Sequence, residues 1–321
     1  MKKLICLLMI MVIPIVLFNG CGTQKEEKTI TIADQYGLGY APVQIMKVKN
    51  ILKKQTGDIN IKWKKLANTA AIREAMLAGE VDIGFMAIPP FLIGKDKGMK
   101  WKIISGLSMC PLGLMTYRDN INSLSDIDKN DRIALPQPGS IQHILLAMAS
   151  ERKFGDADRF DDQLVTMAHP DGMNALLSRK EITAHFTSPP YIFKESETEG
   201  INQILSGREA LGGKFSFIVG VGTHSFHNNN PEIFKIFIKS LNQSIEFINQ
   251  NPEKTSALLT DNYNIPQSEI KKYITWPGMN YTNRVKGLDK FIRFMQKTEY
   301  IDFENWDYSQ LLWDVDFYEK P

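Results

Sequence analysis

Residues 67–85, ANTAAIREAMLAGEVDIGF, constrain the fold more tightly than any other stretch of the chain. Asn68 or Thr69 is placed to cap a helix whose Ile72, Ala75 and Met76 share one face. Gly79 stops that helix, and Val81 to Phe85 reads as a buried strand. Upstream, TITIAD (29–34) is β-branched and alternating, and INIKWKKL (59–66) alternates with Ile59, Ile61 and Trp63 on one face. Between these two strands, a helix-like stretch runs from Pro42 to about Lys54. Downstream, MAIPPFLI (86–93) again passes from a strand end through prolines into a helix. Strand–helix–strand units of this length bury their apolar faces as right-handed crossovers on a largely parallel sheet, so the class is α/β.

A second series begins near Leu114. SLSDI (123–127) reads as a short capped helix, and Arg132 to Leu135 as a strand. The stiff segment Pro136-Gln137-Pro138-Gly139 then leads into a helix opened by Ser140. That segment has two readings: a tight turn with Ser140 as an ordinary N-cap, or a helix end whose unpaired N–H groups face a ligand. DQLVTMA (162–168), ITAHF (182–186) and INQIL (201–205) read as strands, with DGMNALLSRKE (171–181) as a helix. KFSFIVGVG (214–222) alternates and leads the chain back. Beyond it the pattern turns helical, with Asn230-Pro231-Glu232 and Asn251-Pro252-Glu253 as cap–proline–acid starts.

The N-terminus carries Met1-Lys2-Lys3, an apolar run from Leu4 to Phe18, and Gly20-Cys21. Residues 1–20 read as a secretory signal peptide, too short for a spanning helix. The segment resembles a bacterial lipoprotein signal, which makes Cys21 the lipid-bearing first residue and 21–28 a tether. Removing 1–20 takes away two lysines, so Lys+Arg falls from 38 to 36 and equals the 36 Asp+Glu. A formally neutral chain without a basic stripe gives no footing for nucleic acid. Of the three cysteines only Cys110 is left, so no intramolecular disulfide is expected; it reads as a small buried apolar residue.

Catalytic patterns are mostly missing. His143, His169, His185, His224 and His227 show no metal-ligand spacing, and a zinc site from the first three is disfavoured; His169 and His185 read as structural. No nucleophile elbow or P-loop lysine is present, and GVGTHS (220–225) lacks the third glycine of a dinucleotide fingerprint. No cofactor is expected. What remains is at the strand exits, where ligands sit in open parallel sheets. Gln35-Tyr36 with Tyr40, Asn68-Thr69, Met86-Ala87-Ile88, Ser108, Gln137 to Ser140 and Ser188 to Tyr191 supply hydroxyls, amides, aromatics and helix-end N–H groups. Such a set suits a small anion or polar heterocycle.

Several segments together resemble the ABC-transporter solute-binding proteins of the nitrate, sulfonate, taurine and thiamine-pyrimidine-precursor type: YAPVQIMKVKNIL, REAMLAGEVDIGFMAIPPFLIGKDKG, SLSDIDKNDRIALPQPGSIQHILL, HPDGMNALLSRKEITAHFTSPPY and NPEIFKIFIKSLNQSIEFINQNPEK. They span most of residues 30–255. The resemblance implies a two-lobe, type II periplasmic-binding-protein-like fold, each lobe a mostly parallel sheet flanked by helices, with extra C-terminal helices. Lobe 1 would be 29–112 plus 214–321, and lobe 2 would be 113–213. It implies ligand contacts at Gln35, Tyr40, Asn68, Thr69, Ala87, Ile88, Ser140, Gln142 and Tyr191, no enzymatic activity, a monomer, and a permease as partner. Two departures stand out: Thr183 replaces a common aspartate, and Pro189-Pro190 replaces a Glu-Pro pair that would meet a cationic ligand group. The alternative is an enzyme on the same fold acting on a pyrimidine-like substrate, although the CCCFC motif of such relatives is missing. A third reading, a sensor input module, would need a spanning or signalling segment, and the C-terminal LLWDVDFYEKP offers none.

Overall fold

The computed structural model describes residues 28–303 and 306–319, so the expected signal segment, Cys21 and nearly all of the tether lie outside the described residues. In chain order the strands are β1 Thr29–Asp34, β2 Asn60–Lys65, β3 Ile83–Met86, β4 Trp101–Met109, β5 Gly113–Thr116, β6 Ile133–Leu135, β7 Leu164–Thr166, β8 Ala184–Thr187, β9 Asn202–Ser206, β10 Ile218–Thr223 and β11 Asn280–Tyr281. They form two sheets, ordered β11-β4-β10-β3-β1-β2 and β7-β6-β8-β5-β9.

The sheets share one plan. β1 pairs in parallel with β2 and β3, and β6 in parallel with β7 and β8. Beyond β3 and β8 each sheet then takes one antiparallel insert, β10 in the first and β5 in the second, before β4 and β9 resume the common direction. The inserts are the first strands laid down after the chain crosses from the other sheet: β5 follows β4, and β10 follows β9. The largely parallel character expected from the sequence is therefore present with one reversed strand inside each sheet and β11 reversed at the edge of the first. Short apolar strands such as Leu114–Met115 and Val219–Val221 look the same in sequence whichever way they run.

Packing follows the periodicity. Ile30, Ile32, Phe85 and Val219 are buried on the first sheet, and Leu114, Ile133 and Phe186 on the second. β2 is an edge strand, so Trp63 is only partly buried instead of lying in the core. The helix expected to reach Lys54 breaks in two, Ala41–Val48 and Ile51–Thr56, around Asn50 at φ 53°. Asparagine is among the residues that tolerate this left-handed conformation. The helix Pro231–Gln250 buries Ile233, Phe234, Phe237, Leu241, Ile245 and Ile248, the spacing of one helical face. Asn230 and Asn251 occupy N-cap positions, but neither side chain accepts a cap bond. Asn251 Nδ2 instead donates to the Phe247 carbonyl of the preceding helix at 3.2 Å, because two helices meet there and the amide serves the first one's end. Among the described residues no helix is long and apolar enough to cross a membrane.

Candidate functional site

β1, β2 and β3 of the first sheet and β6, β7 and β8 of the second end toward one cleft between the two sheets. Gln35 and Tyr36 follow β1, Asn68 and Thr69 follow β2, and Ala87 follows β3 on one wall. Pro136, Gln137, Ser140 and Gln142 follow β6, Ala168 and His169 follow β7, and Ser188 and Tyr191 follow β8 on the other. Tyr40, Phe217 and Ile218 also line it. The walls touch beside it, where the Leu38 N–H donates to the Pro189 carbonyl at 3.2 Å. The cavity is about 90 Å³, well below the 300 Å³ or so of a pocket for a drug-sized molecule.

Among the helices that start at this cleft are Thr69–Leu77, Ile88–Asp96, Ile141–Phe154 and His169–Ser178. Their positive ends favour negative charge, but they are not equal as donors. Pro89 and Pro90 strip N–H groups from the second, and Pro170 strips one from the fourth. In the first, Asn68 Oδ1 takes the Ala71 N–H at 3.0 Å; in the third, Ser140 Oγ takes the His143 N–H at 3.3 Å. Thr69 and Ala70 in the one, and Ile141 and Gln142 in the other, stand before the first intrahelical bond and are free to meet a ligand.

The Pro-Gln-Pro-Gly-Ser segment is a tight turn ending in an N-cap, and its helix start lines the cleft. The Ser140 N–H bonds the Gln137 carbonyl at 3.1 Å with Gly139 at φ +74°, the pattern of a type II turn with proline at its second position and glycine at its third. His143 adds a second tie: its Nδ1 accepts from the Gly139 N–H at 3.0 Å, so its Nε2 carries the proton that Asp161 Oδ1 accepts at 3.0 Å. A Cβ at Gly139 would lie 3.0 Å from Ile93 Cδ1, on a helix of the facing wall. The turn is thus both an N-cap and a close approach across the cleft.

None of the described residues lining the cleft is Asp, Glu, Lys, Arg or Cys. On the first wall Gln35 Nε2 donates to Thr69 Oγ1 at 3.0 Å and to the Phe85 carbonyl at 3.4 Å. On the second, Gln142 Nε2 lies 3.0 Å from His169 Nε2, His169 Nδ1 lies 3.1 Å from His185 Nε2, and His185 Nδ1 lies 2.7 Å from Glu195 Oε1. Burial holds both imidazoles uncharged: His185 falls to about 3, and His169, next to it, falls well below the ordinary range. Burial, with Asp34 and Cys110 nearby, lifts the Tyr40 phenol well above 10. Burial also lifts Tyr191, which stacks on the His169 ring with centroids 5.8 Å apart.

Of the residues expected at the site, Gln35, Tyr40, Asn68, Thr69, Ala87, Ser140, Gln142 and Tyr191 all line the cleft. Ile88 does not: its side chain is buried in the core, and Pro90 of the same helix reaches the cavity instead. His169, read from the sequence as structural, lines the cleft and bonds Gln142. Its signal was its position opening a helix after β7, equivalent to that of Thr69 after β2. His185 is fully buried and does not line the cleft, and Cys110 is buried and pushed up to about 12 by that burial. Among the described residues no group of three or more His, Cys, Asp or Glu is arranged to hold a metal.

A family model described as the NMT1-like family matches residues 23–260. An uncharacterized protein of Methanocaldococcus jannaschii is 28% identical over 142 residues, 37% of this chain and 98% of its own length. Among solved structures, the periplasmic aliphatic sulphonate binding protein of Escherichia coli superposes with a TM-score of 0.70 at 16% identity, over 89% of this chain and 92% of that one. The periplasmic nitrate-binding protein of Synechocystis superposes with a TM-score of 0.66 at 13% identity, over 87% and 84%. At such identities the likeness establishes the periplasmic-binding-protein fold.

Proposed function

The chain belongs to the NMT1-like family, and from that premise we propose that it is the extracytoplasmic solute-binding protein of an ABC importer. It captures a small polar or anionic solute of the nitrate, sulfonate, taurine or pyrimidine-like class and delivers it to the permease. The observation that carries this reading is the cleft itself: about 90 Å³ walled by helix starts and neutral hydrogen-bonding side chains, with no fixed charge on its lining. A cavity so small suits a solute of few atoms, and converging helix ends with amide and hydroxyl groups suit an oxyanion. The sulphonate- and nitrate-binding proteins that share the fold are consistent with it.

The reading assigns solute contact to Gln35, Tyr40, Asn68, Thr69, Ala87, Ser140, Gln142 and Tyr191, with the Ile88 backbone N–H as a further donor. The lobes are 29–112 plus 214–321 and 113–213, and the crossings after β4 and β9 act as hinge. Cys21 anchors the monomeric protein to the outer face of the membrane.

Thermal unfolding with nitrate, taurine, alkyl and aryl sulfonates, bicarbonate, thiamine-precursor pyrimidines and flavins tests the reading. A solute at 100 times its Kd adds about 2.7 kcal/mol and raises the midpoint. The same solute shrinks the radius of gyration if the lobes close on it. A protein that native mass spectrometry finds empty and that none of these solutes stabilises would sink the proposal, as would turnover of any of them.

A further inference from the structure

Glu195 is fully buried on the helix Tyr191–Ser196, behind the second wall, and its carboxyl meets one N–H donor, that of His185. The Thr187 hydroxyl lies beside it and draws the carboxyl down, although among the described residues neither that hydroxyl nor Oε2 has a hydrogen bond of full geometry. From that carboxyl an unbroken chain of short contacts runs through His185 and His169 to Gln142 at the cleft. Each imidazole has one nitrogen toward each neighbour, and the carboxamide of Gln142 has a donor end and an acceptor end of the same shape. The chain can therefore be bonded in two directions.

When Glu195 is ionised only one direction is allowed. The carboxylate accepts from His185 Nδ1–H, His185 Nε2 accepts from His169 Nδ1–H, and His169 Nε2 accepts from the Gln142 amide N–H. The carbonyl end of Gln142 is then left for the cleft. When Glu195 holds a proton the chain can reverse. Its O–H donates to His185 Nδ1, His185 Nε2–H to His169 Nδ1, and His169 Nε2–H to the Gln142 carbonyl, which turns the amide N–H toward the cleft. Passing between the two, each proton moves one place along the chain. The proton on His169 Nε2 leaves to water in the cleft, and the carboxamide makes a half-turn.

We propose that Glu195 is a positioning residue whose proton decides, through His185 and His169, which end of the Gln142 carboxamide faces the solute. The inference rests on the solute-binding reading only for what occupies the cleft. With Glu195 protonated the second wall presents a donor, as an oxyanion requires; with it ionised, the wall presents an acceptor and repels one. Burial lifts this carboxyl to about 9, which favours the donor state at neutral pH, a half-turn of the Gln142 carboxamide away from the orientation with Nε2 on His169 Nε2. The other titratable groups facing the chain are Tyr191 on His169, with Asp171 and Tyr36 acting on Tyr191 in turn. Glu197, which follows the helix that carries Glu195, is turned to Lys272 and Tyr273.

Long-range nitrogen–proton NMR of the two histidine rings decides the matter without any solute. Both rings should carry the proton on Nε2 near pH 7 and on Nδ1 near pH 10.5 in the wild type, and Glu195→Gln should hold one tautomer pattern across the same range. Identical tautomers at both pH values in the wild type would overturn the proposal, as would an imidazolium near pH 7. The wild-type comparison suffices should the variant not fold. Nitrate and methanesulfonate serve as probes of the consequence. Where either binds, its affinity should fall by about tenfold or more between these pH values in the wild type and by less than about twofold in Glu195→Gln. Failure of both probes to bind counts against the solute class and leaves the tautomer result standing on its own.

Discussion

On the wall built from β1, β2 and β3, polar groups find partners close by. Gln35 gives its amide to Thr69 and to the Phe85 carbonyl, and Asn68 closes on its own helix. The carboxyl behind that wall, Asp34, accepts from Gln44, whose own carbonyl accepts from Asn262 at 3.1 Å. Burial raises Asp34, but Lys65 and Lys47 draw it back, and it settles at about 6. On the wall built from β6, β7 and β8, Gln142 is tied to a histidine pair and a carboxyl with no lysine or arginine acting on it, which burial lifts to about 9. The two sheets share a strand order, so topology does not account for the difference. What differs is where each buried carboxyl finds compensation: cations and amides nearby on one side, a relay leading to the cleft on the other.

The comparison predicts separate pH windows for the two walls. A carboxyl whose folded pKa is raised lends stability below its ordinary pKa and loses it as pH rises to the folded value. For Asp34 that window runs from its ordinary 3.8 to about 6, and for Glu195 from its ordinary 4.5 to about 9. His185, lowered from 6.5 to about 3, has the opposite sign: its stability is present above 6.5 and is lost as pH falls toward 3. The terms oppose one another below pH 6.5, while above it the Glu195 limb stands alone. Wild-type stability should therefore decline between about pH 6.5 and 9, on the order of 1 kcal/mol per pH unit, and Glu195→Gln should flatten that decline. Asp34→Asn should leave it in place. Urea midpoints across this range measure the difference, and parallel declines in wild type and Glu195→Gln would put Glu195 outside the titration.

A second contrast lies in two crowded glycines. At Gly84, on β3, an added Cβ would lie 2.6 Å from Ile72 Cγ2 and 2.7 Å from Met76 Sδ. At Gly172, in the helix His169–Ser178, it would lie 2.7 Å from His185 Nε2. Alanine at either site should destabilise the fold by about 1–3 kcal/mol through overpacking. Only Gly172→Ala should also displace the His185 ring and alter the His169 and His185 nitrogen shifts. Unchanged shifts in a folded Gly172→Ala protein would mean that the ring has room the structure does not give it.

The local signals on both walls were legible in the sequence, for a physical reason. An N-cap is decided within four residues, so Asn68 and Ser140 could be read directly from the chain, and strand exits could be read wherever an apolar run met Pro, Gly, Asn or Ser. The reversal of β5 and β10 could not, because it depends on which sheet edge is open when the chain crosses over. The relay was hidden for a similar reason. Gln142 and His169 lie 27 positions apart, His169 and His185 lie 16, and the pattern of Glu195 is that of an ordinary helix-surface residue until the fold buries it. The same long-range packing turned Ile88 into the core and left Pro90 at the cavity.

The smallest expected difference separates the two caps. Removing the side-chain oxygen of an N-cap costs about 1 kcal/mol in general. Asn68 is alone in closing its helix start, by one bond of 3.0 Å to the Ala71 N–H. Ser140 has a longer bond, 3.3 Å, and stands in a turn fastened twice more, by its own N–H on the Gln137 carbonyl and by the Gly139 N–H on His143 Nδ1. Asn68→Ala should therefore cost about 1 kcal/mol, and Ser140→Ala about half as much. Denaturant midpoints of the two variants give the comparison directly. Adding His143→Phe should deepen the Ser140→Ala loss beyond the sum of the single changes, since the turn would then keep only its backbone bond. Strict additivity would mean that the imidazole and the hydroxyl hold different parts of the segment, and that the Gly139 approach to Ile93 is fixed by the proline and glycine backbone alone.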